Sequence, residues 1–208
     1  MSITFNLLSA SVFFLMANGL FVSFLLILKK DNKKANQYLS LLALLLSLWL
    51  CDTFFRVSGI YAQKPSLYFL PIYFSFAFGP LLYFYTISLT HTKQPKIIRV
   101  FIHFIPAILQ GIGYVFLQWR SYNFRRGFWL NIHQPYTYDL ELALSCLSLV
   151  AYLYFSWQHI IRYRSRIENN YSSIRQIALR WLNQLHWVLF LVSLFWFLET
   201  IARVVWGG

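Results

Sequence analysis

Six long apolar runs, separated by gaps that are alternately rich and poor in Lys and Arg, constrain this chain more than any single motif. A helix needs about 20 mostly apolar residues to cross ~30 Å of hydrocarbon at ~1.5 Å per residue. The segments at about 3–28, 38–60, 67–90, 100–119, 138–161 and 182–205 all reach that length. The fold expected is all-α: a polytopic membrane helix bundle of six transmembrane helices, forming one domain over residues 1–208 with no soluble module. Composition agrees, since 59% of the 208 residues are hydrophobic and 12% charged, against roughly a quarter charged in soluble domains. Trp119, Tyr122, Trp129, Tyr136 and Tyr138 cluster at expected span ends, as interfacial aromatic belts do.

The loops vote on orientation. Gap one holds Lys29, Lys30, Lys33 and Lys34; gap three holds Lys93, Lys96 and Arg99; gap five holds Arg162, Arg164, Arg166, Arg175 and Arg180. These twelve face only Lys64, Arg120, Arg125, Arg126 and Arg203 on the other side, while Arg56 lies within a span. The positive-inside rule then places gaps one, three and five in the cytoplasm and the N-terminus outside. The net charge of +12 is accounted for by loop retention and anionic headgroups rather than by nucleic acid. The first apolar run lacks a basic n-region and a small-residue cleavage site, so it reads as an uncleaved span and not a signal peptide. In the outer gap, WRSYNFRRGFWLNIHQPYTY suggests a short interfacial helix or folded loop. In gap five, Asn169–Asn170 reads as a break, with Ser172 or Ser173 capping a helix that runs on into span six.

Charges within spans are costly, and each is a functional candidate. Asp52 and Arg56 lie one helical turn apart near the outer end of span two, and Glu199 and Arg203 repeat that spacing on span six. Glu141, with Asp139 more peripherally, enters span five from the same side. Asp52, Arg56, Glu141, Glu199 and Arg203 are thus candidate ligand-binding residues of a polar cavity open to the outside, suited to a small polar or zwitterionic ligand. The alternative is a set of structural ion pairs holding helices in register. Gly79 and Pro80 in span three, and His103 and Pro106 at the start of span four, are candidate hinge positions where proline kinks a helix.

Catalytic chemistry finds little support. His91, His103, His133, His159 and His186 fall on different segments without ligand spacing, Cys51 and Cys146 sit singly within spans, and GxSxG and phosphate-cradling Gly-rich loops are absent. Neither a metal, a cofactor nor an enzymatic activity is expected. The lipid bilayer is the one partner the composition demands. A small transporter or channel-like protein is the competing class, although the sequence shows no inverted repeat.

In order along the chain, ANQYLSLLALLLSLWLCD (Ala35–Asp52), FAFGPLLYFYTISLT (Phe76–Thr90), HFIPAIL (His103–Leu109), HQPYTYDLE (His133–Glu141) and YSSIRQIALRWL (Tyr171–Leu182) resemble the membrane region of bacterial membrane-anchored AraC-type transcriptional regulators. The resemblance implies a multi-helix sensor in the bacterial inner membrane, usually of about seven spans, followed by a cytoplasmic helix-turn-helix pair that binds DNA. Here the sequence stops at Val204-Val205-Trp206-Gly207-Gly208 without a seventh span. The expectation is therefore a sensor or input module, truncated or standing alone, with no nucleic acid bound by these residues themselves.

Overall fold

A computed structural model describes residues 6–90, 95–168 and 174–206, with side-chain surroundings for all of these except 65, 166–180 and 203–206. The described residues are helical or irregular, with no strand. In chain order the helices are α1 (Leu7–Leu28), α2 (Lys33–Val57), the single turn α3 (Ile60–Gln63), α4 (Phe78–Thr90), α5 (Ile97–Gln118), α6 (Tyr122–Phe128), α7 (Tyr138–Glu168) and α8 (Ile174–Trp206). Among the described residues, five helical stretches are long and apolar enough to cross a membrane: Leu7–Leu28, Lys33–Val57, Ile97–Gln118, Tyr122–Ser165 and Trp181–Ala202.

Local chemistry explains several boundaries. Asn6 caps α1: its side-chain oxygen accepts from the Ser9 amide at 2.9 Å, and the Ser9 hydroxyl accepts from the Asn6 amide at 2.9 Å. Asn32 takes the left-handed conformation (φ 49°) that lets the chain reverse into α2. Gly59 (φ 74°) closes α2, as glycine does just beyond helix C-termini.

Small hydroxyl side chains share the interior with the apolar core, and large apolar side chains cover much of the outside. Ser9, Ser47, Ser75, Thr86, Ser145 and Ser193 are almost wholly buried, while Leu7, Ile97 and Phe195 are at least three-quarters exposed. Soluble proteins distribute these residue types the other way. In lipid, helices associate through close packing of small residues and interhelical hydrogen bonds. The α1–α2 pair shows both. The Ser23 hydroxyl donates to the Ser40 carbonyl at 2.8 Å and the Ser40 hydroxyl to the Ser23 carbonyl at 2.7 Å. Gly19 lies so close to Ser47 that a Cβ there would sit 2.2 Å from its hydroxyl oxygen.

The third apolar segment departs from expectation. Residues 67–90 do not form one long helix; the first portion is irregular, with 3-10 turns at Pro65–Leu67 and Ser75–Ala77, and only Phe78–Thr90 is α-helical. Thirteen residues rise about 20 Å, short of a bilayer's ~30 Å. Pro80 therefore does not kink a span. It occupies the first turn of α4, where the missing N–H has no intrahelical partner to lose. Pro106 does lie inside a continuous α5, and His103 sits nearly two turns into that helix rather than at its start. Asn169–Asn170, Ser172, Ser173 and His91 lie outside the described residues.

Ten of the 13 residues of α4 are buried. It is the central rod of the bundle, with Leu81, Leu82 and Tyr85 in a core shared with Leu42 of α2, Ala107 of α5, Leu153 of α7 and Leu182 of α8. Gly79 permits close approach to α7, where a Cβ would meet the Tyr152 ring at 2.6 Å and the Ser148 carbonyl at 3.2 Å.

Candidate functional site

Where α2, α3 and the irregular stretch before α4 meet α6–α7, the chain builds an aromatic-walled cavity of about 410 Å³. That volume lies within the range of small-molecule sites. Asp52 anchors its polar side: one carboxylate oxygen accepts from Arg56 Nη2 at 3.0 Å, the other from the Tyr61 hydroxyl. The i, i+4 spacing on α2 makes the first contact, and the turn at Gly59 returns the chain so that Tyr61 makes the second. Burial, reinforced by the neighbouring Asp52 charge, pushes the Tyr61 phenol well above its ordinary range. Arg56 also lies over the Trp129 ring, 5.6 Å from its centroid, a cation–π contact. Glu199 of α8 lines the same cavity.

The aromatic wall draws on rings from at least five segments. Tyr61 stacks on Tyr68 at 5.1 Å and 15°, Tyr68 meets Trp129 at 6.3 Å, and Trp49 of α2 meets Trp196 of α8 at 5.3 Å. Phe69 is the hub, its ring 5.5–6.0 Å from His133, Phe128, Trp129 and Tyr114. Its backbone holds φ 61°, a conformation costly for a bulky side chain and concentrated at ligand sites. Trp129 and His133 project from a π-helical stretch, Trp129–Thr137, that contains Pro135 and joins α6 to α7. Such wide turns recur at functional sites. The sequence expectation of a short interfacial helix or folded loop here is met by α6 and this stretch. The Tyr73 hydroxyl, on the same wall, is buried, with no well-aligned hydrogen-bond partner among the described residues.

Arg125 holds the irregular segment in place. It is buried, and the two N–H bonds of its Nη1 are shared among the Ser66 carbonyl at 2.8 Å, the Tyr68 carbonyl at 3.0 Å and Gln118 Oε1 at 2.7 Å. A non-helical backbone buried in protein must have its polar groups satisfied, and Arg125 supplies donors that the missing helix cannot.

Of the five charged candidates, Asp52, Arg56 and Glu199 share the cavity. Glu141 stands behind its wall. There it accepts from Gln110 Nε2 at 2.5 Å and from the Tyr114 hydroxyl at 3.0 and 3.1 Å, beside a Ser75–Ser145 hydroxyl pair at 2.6 Å. The Arg203 side chain lies outside the described residues, although its backbone continues α8. Of the hinge candidates, Gly79 and Pro80 form the first turn of α4, and His103 and Pro106 lie inside α5. His103 Nδ1 is 2.7 Å from the Tyr152 hydroxyl, and Tyr83 meets His159 Nε2 at 3.2 Å.

Sequence reasoning missed Tyr61, Phe69, Arg125 and His133. The density of aromatics in WRSYNFRRGFWLNIHQPYTY was the available signal for His133 and its neighbours. Nothing in the local sequence separates buried Arg125 from exposed Arg126. Among the described residues, no group of three or more His, Cys, Asp or Glu side chains could hold a metal ion. Neither a family model, a curated protein nor a solved structure matches the chain.

Proposed function

We propose that this chain is the membrane-embedded sensor or input module of a one-component transcriptional regulator in a bacterial cytoplasmic membrane. Its ligand is a small polar or zwitterionic molecule, bound from the outer side in the cavity at Asp52. The observation that carries the reading is the convergence of Asp52, Arg56 and Glu199 on one aromatic-walled space. Aromatic faces and carboxylates suit a cationic group, and the Arg56 guanidinium suits an anionic one. The ordered resemblance to the membrane region of AraC-type regulators supplies the regulatory role. The reading asks no nucleic-acid contact of these residues.

In this reading the chain crosses the bilayer six times with its N-terminus outside. Residues 65–90 make the third crossing as a cavity-lining irregular half and a buried half-helix. Irregular backbone is tolerated at membrane depth where protein encloses it or it lines a cavity. The same stretch runs through Ser75 directly into α4. A ligand that draws Tyr68 and Tyr73 inward shifts α4 against α7 at Gly79, and so disturbs the His103–Tyr152 and Tyr83–His159 pairs at the cytoplasmic end. Only a difference in ligand affinity between the two arrangements can drive that shift.

The test is thermal stabilisation of purified protein by phosphocholine, choline, betaine and free amino acids. At least one stabilises the wild type, and Asp52→Ala weakens it by about 2 kcal/mol, roughly thirty-fold, for a lost charge-assisted contact. Ile97→Ala, on the exposed face of α5, leaves it unchanged. Equal response in Asp52→Ala removes the site. The unwound third crossing also favours a second reading, a small transporter, because discontinuous helices beside a polar site recur in transporters. Uptake of the same compounds into proteoliposomes distinguishes the two, since a sensor moves none of them.

A further inference from the structure

We infer that the ligand of this site is an amphiphile, with a zwitterionic head in the Asp52 cavity and a hydrocarbon chain in an adjoining groove that opens to the bilayer. The inference rests on the reading of that cavity as a ligand site and names the chemical class it takes. A second hollow of about 330 Å³ runs between α2, α4, α7 and α8, walled by Leu46, Phe78, Leu82, Leu149, Leu189 and Val192. Trp49, Trp196 and Glu199 line this groove and the polar cavity alike, so the two spaces meet at the Trp49–Trp196 contact.

The chemistry changes sharply across that junction. On one side lie Asp52, Arg56, the Tyr61 hydroxyl and the buried Tyr73 hydroxyl; on the other, the wall is aliphatic and aromatic carbon apart from Ser193 and Glu199. The Ser193 hydroxyl already donates to the Leu189 carbonyl at 2.6 Å. Such a groove offers water few partners and matches a hydrocarbon chain. Val192 and Phe195, which also line it, are 57% and 75% exposed on the outer face of α8, so its mouth faces the surrounding lipid. A ligand confined to the polar cavity would leave this adjoining groove unused. A molecule with a charged head and one chain fills both, and it arrives laterally from the leaflet on the Asp52 side.

The probe is an alkyl phosphocholine bearing a diazirine in its chain, incorporated in nanodiscs of phosphatidylethanolamine and phosphatidylglycerol. Photolysis is expected to label the α8 peptide containing Leu189–Phe195, and excess lysophosphatidylcholine competes where equimolar free phosphocholine does not. Leu189→Trp fills the groove and lowers that labelling at least ten-fold at equal membrane mole fraction, while thermal stabilisation by free phosphocholine is retained. Asp52→Ala lowers both signals. Labelling spread over the lipid-facing surfaces of α1, α5 and α8, with no preference for the groove in the wild type, overturns the inference without relying on any variant. If phosphocholine then still stabilises the protein in an Asp52-dependent manner, the cavity reading survives and only the amphiphile falls. If neither signal depends on Asp52, both fall.

Discussion

Arg125 is a buried cation whose hydrogen-bonding partners through Nη1 are two carbonyls and an amide oxygen. Those carbonyls, of Ser66 and Tyr68, belong to the stretch that has no helix to satisfy it. Arg125→Met keeps the side chain's length and removes its donors. The Tyr68 carbonyl and Gln118 Oε1 then lose this donor, at about 1–3 kcal/mol for an acceptor left unpaired, while the Ser66 carbonyl keeps Gln118 Nε2 at 3.3 Å; the thermal midpoint in detergent therefore falls. Arg126→Met, one residue on and exposed, stays within about 0.5 kcal/mol of wild type. Tyr61 gives a second test at this scale. Its phenol is raised by burial and by Asp52, so the folded protein holds that proton where the unfolded chain, with a pKa of about 10, releases it. The contribution to stability is complete below that value and is lost as pH climbs through the folded one. Unfolding midpoints measured from neutral to strongly alkaline pH therefore fall less steeply at the alkaline end for Tyr61→Phe than for wild type.

Small residues set the closest approaches between elements. Reciprocal Ser23–Ser40 bonds tie α1 to α2, and the absent side chain of Gly79 lets α4 lie against Tyr152 of α7. Gly79→Ala puts a methyl into the Tyr152 ring and near the Ser148 carbonyl, and overpacking of that kind costs about 1–3 kcal/mol. Gly113, on α5, has nothing within 4 Å of the same added atom. Gly113→Ala should instead gain about 0.5–1 kcal/mol from helix propensity alone. Opposite shifts in the two unfolding midpoints would separate packing from propensity, whereas parallel shifts would contradict the placement of α4. Gly79 marks a close contact at the head of a half-helix, and Pro80 marks where that helix begins.

At the scale of the whole molecule, the proposed orientation rests on charge asymmetry along the chain. Lys29, Lys30, Lys33, Lys34, Lys96, Arg99, Arg162 and Arg164 lie between α1 and α2, at the starts of α2 and α5, and in the last turns of α7. Lys64 and Arg120 follow α3 and α5, Arg125 and Arg126 lie on α6, and Arg125 is engaged by the chain's own carbonyls. With Cys51 and Cys146 replaced by alanine, single cysteines at Lys30 and Lys64 should react with an impermeant maleimide from opposite sides of the membrane, Lys64 from outside. Labelling of both from one side would refute six crossings with the N-terminus outside.

Hydropathy accumulated over 20 or more residues, and charge summed over loops, were legible without any structure. The helices Leu7–Leu28, Lys33–Val57, Ile97–Gln118, Tyr138–Glu168 and Ile174–Trp206 stand close to where their apolar runs place them. Such signals are local sums, and no partner is needed to read them. The i, i+4 pairing of Asp52 with Arg56 was legible for the same reason. That residues 67–77 unwind, that α4 is wrapped on every side and that Glu141 turns away from Asp52 depended on contacts between residues distant in sequence. So did the clamp of Arg125 on Ser66 and Tyr68, 59 and 57 positions away. Hydrophobic periodicity gives a segment its length and its greasy face; which polar groups share a cavity is settled only when the other segments close around it.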